Sequence, residues 1–256
     1  MSKIALVRKP SPSLDEGIVD HIERVPVDVP LALKQWEGYV RALEEAGWET
    51  HQVASVDECP DGVFVEDSVV MFKNVAVSSY PGAEIRRGEV ASTREVAAAL
   101  GCSLNQIQAP GTLDGGDILK VGNTVYVGRG GRTNGEGVKQ LRKILMPLGA
   151  KVVGVPVTKV LHLKTAVTAL PDGTVIGYPD FVDNPEIFDR FIPVPEPHGT
   201  AVVCLSDTHV LMSASAPQTA ALLEDLGYTV TTVEITEFEK LEGCVTCLSV
   251  RVRDLA

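Results

Sequence analysis

The sequence predicts an α/β fold assembled from repeats of one helix-and-strand module, not a simple doubly wound sheet. Three observations carry that reading. A chain of 256 residues that is 45% hydrophobic and 22% charged has enough apolar material for a sizeable core. One unit recurs: an amphipathic helix, a glycine suited to the left-handed position after it, then a strand rich in Val and Thr. Further short β-runs lie between each such strand and the next helix, so a unit has more strands than a single βαβ crossover.

Along the chain, "LALKQWEGYVRALEEAG" leads through Gly47 into "WETHQV". "SVVMF" and "NVAVSS" follow as β-runs. "RRGEVASTREVAAALG" leads through Gly101 into "CSLNQI", and "TNGEGVKQLRKILMPLG" through Gly149 into "AKVVGV". "KVLHLKTAVTAL" alternates apolar positions and is expected to enter the core as a strand carrying His162. The long stretch after it has room for a degenerate unit around "DNPEIFDRFIPV", and Pro193, Pro195 and Pro197 mark an ordered loop. "SAPQTAALLEDLG" leads through Gly227 into "YTVTTV", and "LSVRV" alternates as a last strand. The count is about five modules of roughly fifty residues each.

With 34 acidic against 23 basic residues the formal net charge is −11. Nucleic acid and anionic membranes are repelled on average, whereas a small cation is attracted. "MSKIALVRKPSPS" lacks the apolar stretch of a signal peptide, and runs such as "VVMF" are too short to cross a bilayer, so the expected location is cytoplasmic. Cys59, Cys102, Cys204, Cys244 and Cys247 are odd in number and scattered, unlike a secreted disulfide framework.

Four segments hold candidate chemistry. In "DGVFVEDSVVMF", Asp61, Glu66 and Asp67 stand among residues that want burial, and on a strand the adjacent acids would face opposite ways. "LDGGD" sets Asp114 and Asp117 about a Gly-Gly turn, and "GRGGRTN" sets Arg129 and Arg132 in a glycine-rich loop before a helix. A dinucleotide site would want an acid at the end of the following strand, and "AKVVGVPVTK" offers none. His162 is the histidine with a distinctive context; a lone histidine on an apolar strand is more often structural. "GCVTC" allows a redox pair, half a zinc site or one nucleophile with a bystander. If the segment is extended, its two Cα atoms lie about 10 Å apart, too far for a disulfide unless the chain turns at Gly243. No second ligand pair supports zinc. A single nucleophile is favoured, given a histidine elsewhere to act as acid and base.

Read together and in order, "VRKPSPSL", "PDGVFVEDS", "PGAEIRR", "LDGGD", "GRGGRTN", "HLK" and "EFEKLEGCVTCLSV" resemble the dimethylarginine dimethylaminohydrolases, a family of the guanidine-modifying group that includes arginine deiminases and amidinotransferases. The resemblance implies a five-bladed α/β propeller, the pentein fold, as a single catalytic domain over residues 1–256. It implies hydrolysis of Nω-methylated arginines to citrulline and a methylamine through an S-alkylthiouronium on Cys247. His162 matches the general acid and base, Asp114 the acid that orients it, and Cys244 a pocket-lining bystander. Glu66 and Asp67 match guanidinium contacts, Asp61 the α-amino contact, and Arg86 and Arg132 the α-carboxylate contacts. Thr165 falls near the carboxylate end, and the segment around Ile18 and Val19 matches a mobile flap. No metal or organic cofactor is implied; the partner is a small cationic amino acid, with a homodimer left open. The alternatives are an arginine deiminase or related amidinotransferase-like enzyme, a non-catalytic arginine-binding module, and a thiol oxidoreductase using Cys244 and Cys247.

Overall fold

A computed structural model describes residues 3–253 and Leu255. Its strands form five sheets of three strands each. The chain runs β1 (Ile4–Val7), α1 (Val29–Glu45), β2 (Glu49–Gln52), β3 (Val69–Phe72), β4 (Val75–Ser78), α2 (Val90–Ala99) and β5 (Ser103–Gln106). It continues with β6 (Ile118–Val121), β7 (Thr124–Arg129), α3 (Gly135–Leu145), β8 (Lys151–Pro156), α4 (Leu163–Ala166), β9 (Val167–Ala169), β10 (Val175–Gly177) and β11 (Phe191–Pro193). The last elements are β12 (Val202–Cys204), β13 (His209–Ser213), α5 (Pro217–Asp225), β14 (Thr229–Val233), α6 (Thr236–Glu239) and β15 (Val250–Val252).

Every sheet has one pattern: a central strand pairs antiparallel on one side and parallel on the other. The parallel partner is reached through a helix in four sheets. In the fourth blade two short 3-10 turns, Pro179–Phe181 and Pro185–Ile187, replace it; this is the degenerate unit expected there. The first blade is closed by the far end of the chain, with Ile4 opposite Val252 and Leu6 opposite Val250. The result is the five-bladed α/β propeller.

The apolar core is divided among the gaps between blades. Alternate residues of one strand point to opposite neighbours, as strand geometry requires. Val69 and Met71 pack with Ile4 and Leu6 of the first blade, while Val70 and Phe72 pack with Ile118 and Val125 of the third. Tyr126 joins Val167, Ile176 joins Met212, and Leu211 joins Val7, so five shared cores complete a ring.

The anticipated glycines end their helices in the left-handed region, with φ of 81° at Gly47 and Gly101, 89° at Gly149 and 91° at Gly227. Asp28 caps α1 by accepting from the Leu31 N–H at 2.9 Å, and Asn134 caps α3 through the Gly137 N–H at 2.8 Å. Among the described residues no helix is long and apolar enough to cross a membrane.

Two segments depart from the strands expected of them. "DGVFVEDS" forms the 3-10 turns Pro60–Val63 and Val65–Ser68, and β3 starts only at Val69. His162 precedes the one-turn helix α4 instead of lying within a strand.

Glycines in two settings should respond oppositely to alanine. A Cβ at Gly38, inside α1, meets nothing within 4 Å, so Gly38→Ala should stabilise the protein by about 0.5–1 kcal/mol. Gly47→Ala should destabilise by about 1–2 kcal/mol, because its φ of 81° crowds a Cβ against its own backbone. Urea unfolding of both variants checks the signs.

Candidate active site

In four of the five blades the turn that leads into the first strand carries polar side chains that converge on one centre. Asp61 and Asp67 precede β3, Asp114 precedes β6, His162 precedes β9 and Cys247 precedes β15. Arg132 joins them from the loop after β7. Asp61, Asp67, His162, Cys247 and Arg132 line one cavity, and Asp114 lies buried behind it, 3.7 Å from Arg132 Nη1. Arg8, fully buried, braces the turn that carries Asp61. It donates to the Gly62 carbonyl at 2.8 Å and to the Glu89 carbonyl at 2.8 Å.

His162 and Asp114 are paired through Nε2 and Oδ2 at 3.0 Å. Asp114 is held in turn by the Gly82 N–H at 3.0 Å. Asp67 accepts from the Gly116 N–H at 2.7 Å and from Arg86 Nη1 at 2.6 Å, and its Oδ1 lies 4.0 Å from His162 Nδ1. Gly116 is required sterically, since a Cβ there would meet His162 Nδ1 at 2.6 Å and Asp67 Oδ1 at 2.7 Å.

Burial alone would favour the neutral imidazole of His162. Asp67, the bond to Asp114, and the charge of Asp117 outweigh it and raise the ring to about 9. Burial likewise opposes ionisation of Asp67, yet His162 and Arg86 hold this carboxyl well below the usual range. Asp117 is pushed up to about 6 by burial, against the His162 charge and the Thr133 hydroxyl. Its Oδ2 accepts from Thr133 at 2.6 Å and its Oδ1 from the Leu163 N–H at 3.0 Å, so it anchors α4 directly beneath His162.

Cys247 sits in a tight turn, its N–H bonded to the Cys244 carbonyl at 3.0 Å, and the two sulfurs are 3.4 Å apart. Of the two conformations left open for "GCVTC", the structure has the turned one, with the turn over Cys244–Cys247 instead of at Gly243; the strand begins only at Val250, and both thiols lie on one side. The bond between the sulfurs, burial, and the nearby Cys244, Glu66 and Asp67 push the Cys247 thiol up. Cys244 is lowered to about 7, because Cys247 and the Thr246 hydroxyl bond its sulfur.

Three anticipated contacts are absent from this cavity. Glu66 leaves its 3-10 turn in a different direction from Asp67 and enters the central channel of the propeller. There Lys164 at 2.5 Å and Arg251 at 2.9 Å hold it. Thr165, on α4, faces a neighbouring apolar cavity. Val19 packs against the apolar core, and the flap residue at the wall is Ile18. Arg86 does line the cavity, but Glu89 takes its Nε and Nη2 and Asp67 its Nη1. Glu89 and the anchoring role of Asp117 were not singled out in the sequence; the second acid of "LDGGD" was the available signal for Asp117.

The flap closes the cavity. Asp61 accepts from the Ile18 N–H at 3.1 Å, Arg132 Nη2 binds Asp20 Oδ2 at 2.8 Å, and Glu242 holds the Asp20 N–H at 2.6 Å. The remaining space is about 20 Å³, room for a single water. Asp67, Asp114 and His162 also offer ligand atoms within 4.8 Å of one another, a spacing that could hold a metal ion. Gly82, Gly116 and Arg86 already use those carboxylates.

A sequence profile described as arginine deiminase matches residues 93–199. The chain is 63% identical over 254 residues to the N(G),N(G)-dimethylarginine dimethylaminohydrolase of Streptomyces coelicolor, covering 99% of this chain and 98% of that one. The chain belongs to the dimethylarginine dimethylaminohydrolase family. The family member of Pseudomonas aeruginosa is 36% identical, over 98% of this chain and 100% of its own. A solved dimethylarginine dimethylaminohydrolase, a histidine-to-glycine variant with an S-methyl-L-thiocitrulline adduct, superposes with a TM-score of 0.91 at 34% identity, over 98% and 100% of the chains. The Pseudomonas aeruginosa enzyme, as a cysteine-to-serine variant complexed with citrulline, superposes with a TM-score of 0.90 at 35% identity, over 98% and 99%.

The charge balance around His162 is open to measurement. Its folded value of about 9 lies above the ordinary 6.5, so the protonated ring stabilises the fold below about pH 6.5, and that contribution is lost as pH rises through about 9. An NMR titration of the His162 ring should show a midpoint near 9, moved lower in Asp67→Asn.

Proposed function

We propose that this protein hydrolyses Nω-methylated arginines to citrulline and a methylamine, with Cys247 as nucleophile. The observation that carries the proposal is the convergence on one cavity of Cys247, a His162 pinned by Asp114, and an Asp67 fixed by Arg86. Membership of the dimethylarginine dimethylaminohydrolase family supports the same chemistry. The five shared cores support reading residues 1–256 as one catalytic unit, and five free cysteines suit a cytoplasmic enzyme.

Asp67, ionised and immobile, receives the N–H groups of the substrate guanidinium and keeps the cation planar and oriented. Asp61 takes the α-amino group and Arg132 the α-carboxylate. Both are engaged by the flap, so Ile18 and Asp20 withdraw as substrate binds. The bound cation favours ionisation of Cys247, countering the burial and carboxylates that raise it in the free protein. The thiolate attacks the guanidinium carbon. His162, protonated near neutral pH, gives its proton to the leaving methylamine, and an S-alkylthiouronium remains on Cys247. The neutral imidazole then takes a proton from water as that water attacks the same carbon. Collapse of the adduct releases citrulline and returns the thiolate.

A citrulline assay with dimethylarginine, monomethylarginine and arginine tests the proposal. Turnover of the methylated substrates is expected; turnover of arginine alone would favour the arginine deiminase reading. Cys247→Ser should lower citrulline formation by roughly a thousandfold or more while binding stays detectable. Arg132→Ala should raise KM by roughly 10–100-fold, the loss of one charge-assisted contact in a confined site. Normal turnover in Cys247→Ser would overturn the assignment of the nucleophile.

A further inference from the structure

The second cysteine of "GCVTC" has no part in the hydrolysis, yet its placement is specific. The turn bond from Cys247 to the Cys244 carbonyl, at 3.0 Å, closes a four-residue turn whose end Cα atoms lie within about 7 Å, inside the range a disulfide spans. The sulfurs touch at 3.4 Å. A modest rotation of the side chains brings them to the bond length of about 2 Å without moving the strand that follows. The other thiols are directed elsewhere. Cys59 and Cys204 point at the Ile85 and Ala169 carbonyls, and Cys102 is buried in an apolar core.

The two sulfurs are reached from different sides. Cys247 lines the confined cavity with His162, and Cys244 lines a neighbouring apolar cavity of about 160 Å³ bordered by Ile22, Val160 and Thr165. Cys244 is partly buried, while Cys247 is buried. A small reagent that cannot enter the closed site still has room beside Cys244.

We infer that Cys244 and Cys247 form a reversible disulfide site that takes a hydroperoxide as oxidant and a low-molecular-weight thiol as reductant. The Cys244 thiolate attacks the peroxide oxygen; an S–O bond forms, the O–O bond breaks, and alcohol or water leaves with a proton. The Cys247 thiolate then attacks the Cys244 sulfenic sulfur, hydroxide leaves as water, and the disulfide closes. Two thiols are oxidised and one peroxide is reduced. To reverse it, a thiolate attacks Cys244 and expels the Cys247 thiolate. A second thiol clears the mixed disulfide, leaving Cys244 reduced and the reagent as its own disulfide. Cys247 never carries the oxygen, so it is spared irreversible oxidation. The accompanying loss of hydrolysis rests on the reading of Cys247 as nucleophile; formation of the disulfide does not.

Treating the full chain with a slight excess of hydrogen peroxide should remove two hydrogens from its mass and block alkylation of both Cys244 and Cys247. Citrulline formation should fall by about tenfold or more, with glutathione restoring both readouts. In Cys244→Ser the loss of two hydrogens should disappear; peroxide should reach Cys247 only slowly, as the flap opens, and glutathione should leave the resulting loss of activity largely in place. Wild type that gains oxygen without losing two hydrogens would overturn the site, as would a Cys244→Ser variant rescued as fully as wild type. A disulfide that forms with no loss of activity would support the site and overturn the nucleophile reading instead.

Discussion

A sheet of three short strands with apolar side chains on both faces cannot bury itself, and this constraint organises the whole molecule. Each blade must lend one face to the blade before it and the other to the blade after it, so five cores are shared around a ring. The ring has to close, which is why β15 returns to pair with β1. Closure also brings the turns leading into the blades to one common centre. Cys247 reaches Asp67 and His162 because the last strand of the chain completes the first blade.

That centre is packed with charge in a protein interior. Asp67, Arg86 and Glu89 are joined by bonds of 2.6 to 2.9 Å; His162 and Asp114 continue the network, and Asp117 joins it through the Thr133 hydroxyl. Removing one member of such a network leaves an uncompensated buried charge, typically at a cost of about 3–5 kcal/mol. The network therefore serves order before it serves chemistry: it fixes the carboxylate and the ring in one geometry. Arg86 contributes by immobilising Asp67, while Glu89 and the Asp61 and Phe64 carbonyls take its other donors.

Much of the frame was legible in the sequence. Helix periodicity ending in a glycine and a Val/Thr strand marked the blades, and Gly47, Gly101, Gly149 and Gly227 adopt the left-handed conformation that pattern requires. Ring closure was not legible from pattern, because nothing local in "SVRV" says that its partner is "IALV" at the other end. Residue types at the site were visible, but their directions were not. A 3-10 turn of three or four residues has no periodicity to read, so although Glu66 and Asp67 were expected to face opposite ways, which of them enters the cavity was decided only in three dimensions. The strand read in "LSVRV" starts two residues later than its alternation suggests, at Val250, and the turn over Cys244–Cys247 could be posed from the sequence only as one of two conformations. In the flap, the contact to Asp61 comes from the main-chain N–H of Ile18, which leaves no mark in the residue type.

The closed flap has a thermodynamic meaning of its own. Ile18 offers Asp61 an N–H donor and Asp20 offers Arg132 a carboxylate, the same two groups that a free amino acid carries on its α-carbon. If Asp61 and Arg132 anchor the substrate as proposed, the chain carries a tethered competitor for its own anchors, present at a high effective concentration. An incoming molecule with both groups exchanges like for like, donor for donor and carboxylate for carboxylate. One that lacks either group leaves an anchor to the flap and gains only part of the exchange. On the proposed reading, apparent affinity is scaled by the fraction of time the flap stands open, so discrimination for free amino acids over bare guanidines, or over arginine within a peptide chain, would reside in a loop that takes no part in the bond-breaking.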